Sequence, residues 1–222
     1  MKKLLLILLC VPLIGFTQNI EWTKSFGGFL GQNWHNHADT AYCVQQTLDS
    51  GYVIIGDYYS NPNPQEQGAC ILKTDQNGNL QWDYKINMST SNPAWNGMTH
   101  SGFFIQQTSD LGYIVTGWVV DSSGIPHYGY PYLLKLDFNG NLKWEKRYTN
   151  YTNLRQYAGS CVQETHDNGF IIRARKWGFG ATNDYLIKTD SLGNQQWNSS
   201  FDPYDYGNSI ISSSIFQTSD LG

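Results

Sequence analysis

Lys135-Leu136-Asp137-Phe138-Asn139-Gly140-Asn141-Leu142-Lys143-Trp144 reads as a strand end, a tight turn and a strand start within ten residues. Asp and Asn bond their own backbone and Gly tolerates positive φ, so the cluster is a turn with a mechanism. The pattern recurs as Lys73-Thr74-Asp75-Gln76-Asn77-Gly78-Asn79-Leu80-Gln81-Trp82 and as Lys188-Thr189-Asp190-Ser191-Leu192-Gly193-Asn194-Gln195-Gln196-Trp197. A second turn alternates with it: Thr47-Leu48-Asp49-Ser50-Gly51-Tyr52, Thr108-Ser109-Asp110-Leu111-Gly112-Tyr113, Thr165-His166-Asp167-Asn168-Gly169-Phe170 and Thr218-Ser219-Asp220-Leu221-Gly222. Its spacing is 61, 57 and 53 residues, which makes the chain a tandem repeat.

Working outward, each unit reads as four strands, in the first unit 41–47, 52–58, 69–74 and 80–87. Both turns carry the Asp and Gly of a hairpin with a positive-φ position. Val53-Ile54-Ile55, Leu133-Leu134 and Ile171-Ile172 are continuous apolar runs, expected in strands covered on both faces. No amphipathic helical stretch follows the N-terminal segment. Four-stranded units of this length, repeated and stacked, predict an all-β fold, a β-propeller of antiparallel blades with repeats at about 40–87, 101–148, 158–201 and 211–222. Trp22 stands 60 residues before Trp82, so 20–26 reads as a lone fourth strand that closes a last blade. On this reading residues 18–222 form an incomplete propeller, with three full blades and the start of a fourth.

Composition agrees: among 222 residues 40% are apolar, 15% aromatic and 14% charged, with 22 glycines, which excludes disordered, coiled-coil and collagen-like chains. Residues 1–17 read as a secretory signal peptide. Lys2 and Lys3 precede an apolar run over 4–16, and Gly15 and Thr17 put small residues before a cut at Gln18. That run is short of the roughly 18 needed to cross a bilayer, and no transmembrane segment is expected. Cys10, after Leu9 and before further apolar residues, does not read as a lipoprotein cysteine. The remainder has 12 basic and 18 acidic residues, a net charge of −6, with no basic stripe for nucleic acid. Cys43, Cys70 and Cys161 are odd in number, so a disulfide framework is not expected; Cys43 and Cys161 sit at equivalent apolar strand positions as small hydrophobes.

The pattern Gln-Thr-x-Asp-x-Gly-Tyr followed by Tyr-Leu-x-Lys-x-Asp-x-x-Gly-x-x-x-Trp resembles the repeats of secreted and surface propeller proteins of bacteria that use type IX secretion. It is also similar to the tryptophan-docking repeat of quinoprotein dehydrogenases. The Gly-to-Trp spacing of four matches, and the Asp-to-Gly spacing is one residue shorter here. The resemblance implies that Trp22, Trp82, Trp144 and Trp197 pack on a neighbouring blade, and that the secretion machinery is a partner. It implies nothing about quinone binding.

Structural roles fall to those tryptophans, to Asp49, Asp110 and Asp167, and to Gly78, Gly140 and Gly193. Ligand contact is expected where the repeat breaks, on the face holding the variable connections. Candidates there are Trp34, His35, His37, Trp95, His100, His127, Tyr128, Tyr130 and Trp177, with Arg173 and Arg175 as cations for an acidic ligand or as exposed residues at the outer end of strand two. His35-Asn36-His37 has a spacing zinc can use but reads as a polar loop, and the Asp75 turn lacks the downstream Glu of a calcium loop, so no metal and no cofactor is expected. No nucleophile elbow, phosphate loop or paired carboxylates are visible, and no catalytic residue is named. The expected function is a secreted or cell-surface, non-catalytic module binding extracellular protein or glycan. The alternative is a secreted enzyme on the same scaffold, a glycoside hydrolase or quinone-dependent dehydrogenase.

Overall fold

The computed structural model describes residues 23, 24, 26, 40–59, 67–87, 98–121, 128–149, 157–176, 184–201 and 215–218. Twelve strands are arranged as three sheets of four. The first holds β1 (Thr40–Gln46), β2 (Tyr52–Tyr59), β3 (Gln67–Thr74) and β4 (Leu80–Asn87). The second holds β5 (Met98–Gln107), β6 (Tyr113–Asp121), β7 (Tyr128–Leu136) and β8 (Leu142–Arg147). The third holds β9 (Tyr157–Glu164), β10 (Phe170–Lys176), β11 (Asp184–Thr189) and β12 (Gln195–Phe201). Each is an antiparallel meander in chain order. The described residues contain no helix. The signal-peptide reading of 1–17 lies outside the described residues, and of the segment 20–26 only Thr23, Lys24 and Phe26 are described, none in a strand.

Hairpin geometry explains the turns and corrects one expectation. In the Asp-Asn-Gly type turn the positive φ falls on Gly78, Gly140 and Gly193, at 74°, 84° and 75°. In the Asp-x-Gly turn it falls instead on Ser50, Leu111 and Asn168, at 66°, 64° and 59°. Gly51 is needed for space: a Cβ there would overlap the Thr74 carbonyl and meet the Lys73 ammonium at 2.6 Å. Two irregularities repeat in every sheet. The first strand bulges at Tyr42, Phe103 and Ser160, and the fourth at Gln81, Lys143 and Gln196, each an extra residue that raises the local twist.

The first strand of each following sheet lies across the sheet before it, β5 on β1 to β4 and β9 on β5 to β7. The two cores are the layers between sheets. Val53, Ile55, Ile71 and Ile86 meet Ile105, Tyr113, Val115 and Leu134 in one, and Ile114, Leu133 and Tyr148 meet Val162, Phe170, Ile172 and Ile187 in the other. Each such side chain contributes about 2 kcal/mol by leaving water, so the layers and not the hairpins hold the sheets together. Coverage on both faces holds for β6 over Tyr113–Gly117 and for β10 over Phe170–Ala174, whereas in β2 the alternate residues Tyr52 and Ile54 are only half-buried. Trp82 lies 2.8 Å from a Cβ built on Gly140 and Trp144 lies 2.7 Å from one on Gly193, both glycines of the next sheet. Trp82 also meets Tyr113 edge-on at 5.4 Å and Trp144 meets Phe170 at 5.9 Å. Trp197 is 47% exposed.

Candidate functional site

The two ends of the sheets differ in chemistry, and the turn end is internally saturated. In the first sheet the Asp49 carboxylate accepts from Lys73 Nζ at 2.8 Å, from the Thr47 hydroxyl and from Gly51 N–H at 3.1 Å. Lys73 Nζ also donates to the Thr74 carbonyl at 2.8 Å and to Gln81 Oε1 at 2.9 Å, which uses all three of its protons. Lys135 with Asp110 and Lys188 with Asp167 repeat the arrangement. Partial burial would raise the Asp49 carboxyl, but bonds from Lys73, Thr47 and Gly51 outweigh it and hold the group at about 2. The Asp-Asn-Gly type turn is closed in the same way: Asp75 Oδ1 accepts from the amides of Asn77 and Asn79 at 2.8 Å, and its Oδ2 from Asn79 Nδ2 at 2.8 Å. Among the described residues no group of three or more metal ligands occurs.

Neighbouring sheets are tied at this end by a side-chain acceptor just before each Thr. Gln107 Oε1 accepts from Leu48 N–H at 2.8 Å, Glu164 from Ser109 N–H at 2.7 Å, and Gln217 Oε1 from His166 N–H at 2.8 Å. A polar notch lined by Ser109, Glu164, His166, Asn168 and Gln217 lies along the last two of these ties.

The opposite end gives rise to every longer connection, and the described part of it revises several candidates. His100 lies within β5, not in the preceding connection, and is 2% exposed with its ring edge-on to Tyr132 at 6.0 Å. Burial and then the nearby Arg147 charge push its imidazole down to about 4, so it is neutral at pH 7. Its withdrawal follows from the length of β5, which starts at Met98 and makes the residue part of the second sheet, paired with Val119 of β6. Tyr128 and Tyr130 likewise fall on β7, and Tyr130 is half-buried with the Arg147 guanidinium 5.8 Å from its ring centre.

Arg173 corrects the expectation of an exposed residue. It is 6% exposed, and its Nε donates to Asp184 Oδ2 at 2.9 Å while Nη2 donates to the same oxygen. Arg175 is half-buried. The pair was invisible in the sequence because Arg173 and Asp184 are 11 residues apart and meet only as diagonal neighbours, Arg173 pairing with Leu186 and Arg175 with Asp184. In the same place the first sheet has Ile55 and Ala69. Asp57, 8% exposed, accepts from Gly102 N–H at 3.2 Å and from the Tyr42 hydroxyl at 3.3 Å, and burial raises its carboxyl. Trp22, Trp34, His35, His37, Trp95, His127 and Trp177 lie outside the described residues.

What this end offers among the described residues is aromatic and cationic surface. Lys85 Nζ stands 5.0 Å over the Tyr58 ring and Arg147 over Tyr130, and Arg175 lies on β10 opposite Asp184. The Lys that opens the Lys-x-Asp-x-x-Gly motif, at 73, 135 and 188, is the sequence signal for the ion locks, since it recurs at a fixed offset in all three units. No protein-family model matches the chain, and no curated protein matches it.

Proposed function

We propose that the three sheets are successive blades of a β-propeller, exported through the leader at 1–17 to the cell surface or beyond, which binds protein or glycan through its connection-bearing end without turning it over. One observation carries this reading: the repeated polar groups of the turn end are consumed by their own bonds, whereas every longer connection leaves from the other end. The turn end is therefore scaffold, and the irregular residues are free to differ in the way a recognition surface requires. Stacked sheets related by the same Trp-to-Gly contact, with Lys24 and Gln217 extending the relation on either side, support the ring architecture. Tyrosine and tryptophan give stacking area for sugars and anchors for proteins at low entropic cost.

The test is a glycan and protein-binding array probed with the full chain and with Trp34→Ala, Trp95→Ala and Trp177→Ala. Binding that at least one variant weakens by about tenfold, the cost of losing one aromatic anchor, is the expected result. No ligand, or ligands indifferent to all three changes, would sink the reading, and turnover of a bound glycan would replace it with the enzymatic one.

A further inference from the structure

We propose that the notch between the turn ends of the second and third sheets is a receptor for a guanidinium group, the side chain of an arginine on a partner protein. The inference stands apart from the connection-bearing end and from the ring reading.

The turn end is scaffold where its polar groups repeat, and at this junction they do not. Ser109, Glu164, His166 and Asn168 line the notch. Counted from Thr47, Thr108 and Thr165, their counterparts at the junction of the first and second sheets are Leu48, Gln107, Ser109 and Leu111. Leu48 and Leu111 are exposed, at 79% and 50%. The second junction therefore has a carboxylate, an imidazole and a carboxamide where the first has a carboxamide, a hydroxyl and a leucine.

The carboxylate is held in place and left uncompensated. Glu164 Oε2 accepts from Ser109 N–H at 2.7 Å and Oε1 from the Ser109 hydroxyl at 2.9 Å, while the Glu164 N–H donates to Gln106 Oε1 at 3.1 Å. Both donors to the carboxylate are neutral, and each oxygen keeps a further lone pair. Among the described residues Glu164 is in no ion pair, and Lys135, Lys143 and Lys188, the cations of the adjoining turns, are bound to Asp110 and Asp167. His166 and Asn168 are exposed, and their N–H groups are tied to Gln217 Oε1 and to the Thr165 carbonyl. Among the described residues the His166 imidazole and the Asn168 carboxamide make no hydrogen bond of their own, so both remain open to a ligand.

The notch has a volume of about 330 Å³, room for a guanidinium and its stem. A guanidinium presents its N–H donors in a planar fork that meets both oxygens of a carboxylate at once. Asn168 Oδ1 offers an acceptor for a further N–H. A lysine ammonium is a point charge that does not match the two oxygens as a pair. A divalent cation would lack ligands, since no group of three or more occurs among the described residues.

NMR titration of the full chain with Nα-acetyl-arginine amide at constant ionic strength, followed at the His166 ring protons, tests the assignment. A saturable shift with a Kd on the order of 10 mM is expected. The lysine and citrulline analogues, which lack the charged fork, should bind at least about tenfold more weakly. Glu164→Gln keeps an acceptor for the Ser109 N–H, as Gln107 does for Leu48 at 2.8 Å, so its urea midpoint should stay unchanged while arginine binding falls about tenfold. Asn168→Leu installs the residue type found at Leu111 and should weaken binding about threefold, a second check if the Gln variant is unstable. An absent or non-saturable shift overturns the inference. Equal binding of the lysine or citrulline analogue does so too, as does arginine binding that survives both substitutions.

Discussion

Lowering the pH from 7 to 5 should cost the folded protein about 2 kcal/mol through His100 alone. In the unfolded chain its imidazole titrates at 6.5, whereas burial and the neighbouring Arg147 charge hold it at about 4 in the fold. Near pH 5 the unfolded side chain is protonated about 30 to 1 and the folded one only about 1 in 10, and that difference in proton binding is worth about 2 kcal/mol. A depressed folded value means that the unfolded state takes up the proton first. Stability is therefore lost as pH falls below 6.5, and the loss levels off below about 4 at roughly 3 kcal/mol. Asp49, held at about 2, gives up its contribution only as pH falls from 3.8, outside this window. Asp57, raised by burial, acts in the opposite direction at the acid edge. Urea unfolding of the wild type and of His100→Leu at pH 7 and pH 5 isolates the effect, because the two proteins differ at this one side chain. The wild type should lose about 2 kcal/mol more than the variant between the two conditions. Equal losses would show that the ring is not kept neutral by its surroundings.

Asp184→Ala, which leaves the Arg173 guanidinium buried without its carboxylate, should cost about 3 to 5 kcal/mol in denaturant unfolding. Arg173→Ile combined with Asp184→Ala installs the first sheet's residues at the same positions and should fall within about 1 kcal/mol of the wild type or above it; a double variant as damaged as the single one would show that the ion pair itself holds the third sheet. Leu111 adopts φ 64° at a half-exposed turn position, a conformation that costs a branched side chain about 1 kcal/mol more than Asn. Leu111→Asn should raise the urea midpoint accordingly, and an unchanged or lower midpoint would refute the assignment of strain to that turn.

The repeat made most of the architecture legible. Turn chemistry at Thr47–Tyr52 and Lys73–Trp82, with a period-like recurrence, placed all four strands of the first unit within two residues of β1 to β4. Local rules sufficed there, because a hairpin is decided by the few residues that must turn. The same rules failed one step beyond the hairpin. The positive φ of the Asp-x-Gly turn sits on Ser50, one residue before the glycine, and what requires Gly51 is the Thr74 carbonyl and Lys73 ammonium, 23 and 22 residues away in the chain. The variable connections, read from the sequence alone, end later than they do, which puts His100 and Tyr130 in loops although β5 and β7 already begin at Met98 and Tyr128.

By itself, then, the order of residues determined an all-β chain of repeated four-stranded meanders, since turn-forming Asp, Asn and Gly act over four or five residues and alternate with apolar runs. Only the tertiary structure decided which side chains are withdrawn from water and with whom. Arg173 finds Asp184 across a ladder, His100 is kept neutral by burial within the second sheet, and Val44 is left open where Ile105 and Val162 are covered. Burial is a property of the layer that another sheet lays down, and three sequence positions with the same local pattern share it only if each has a neighbour on the same side.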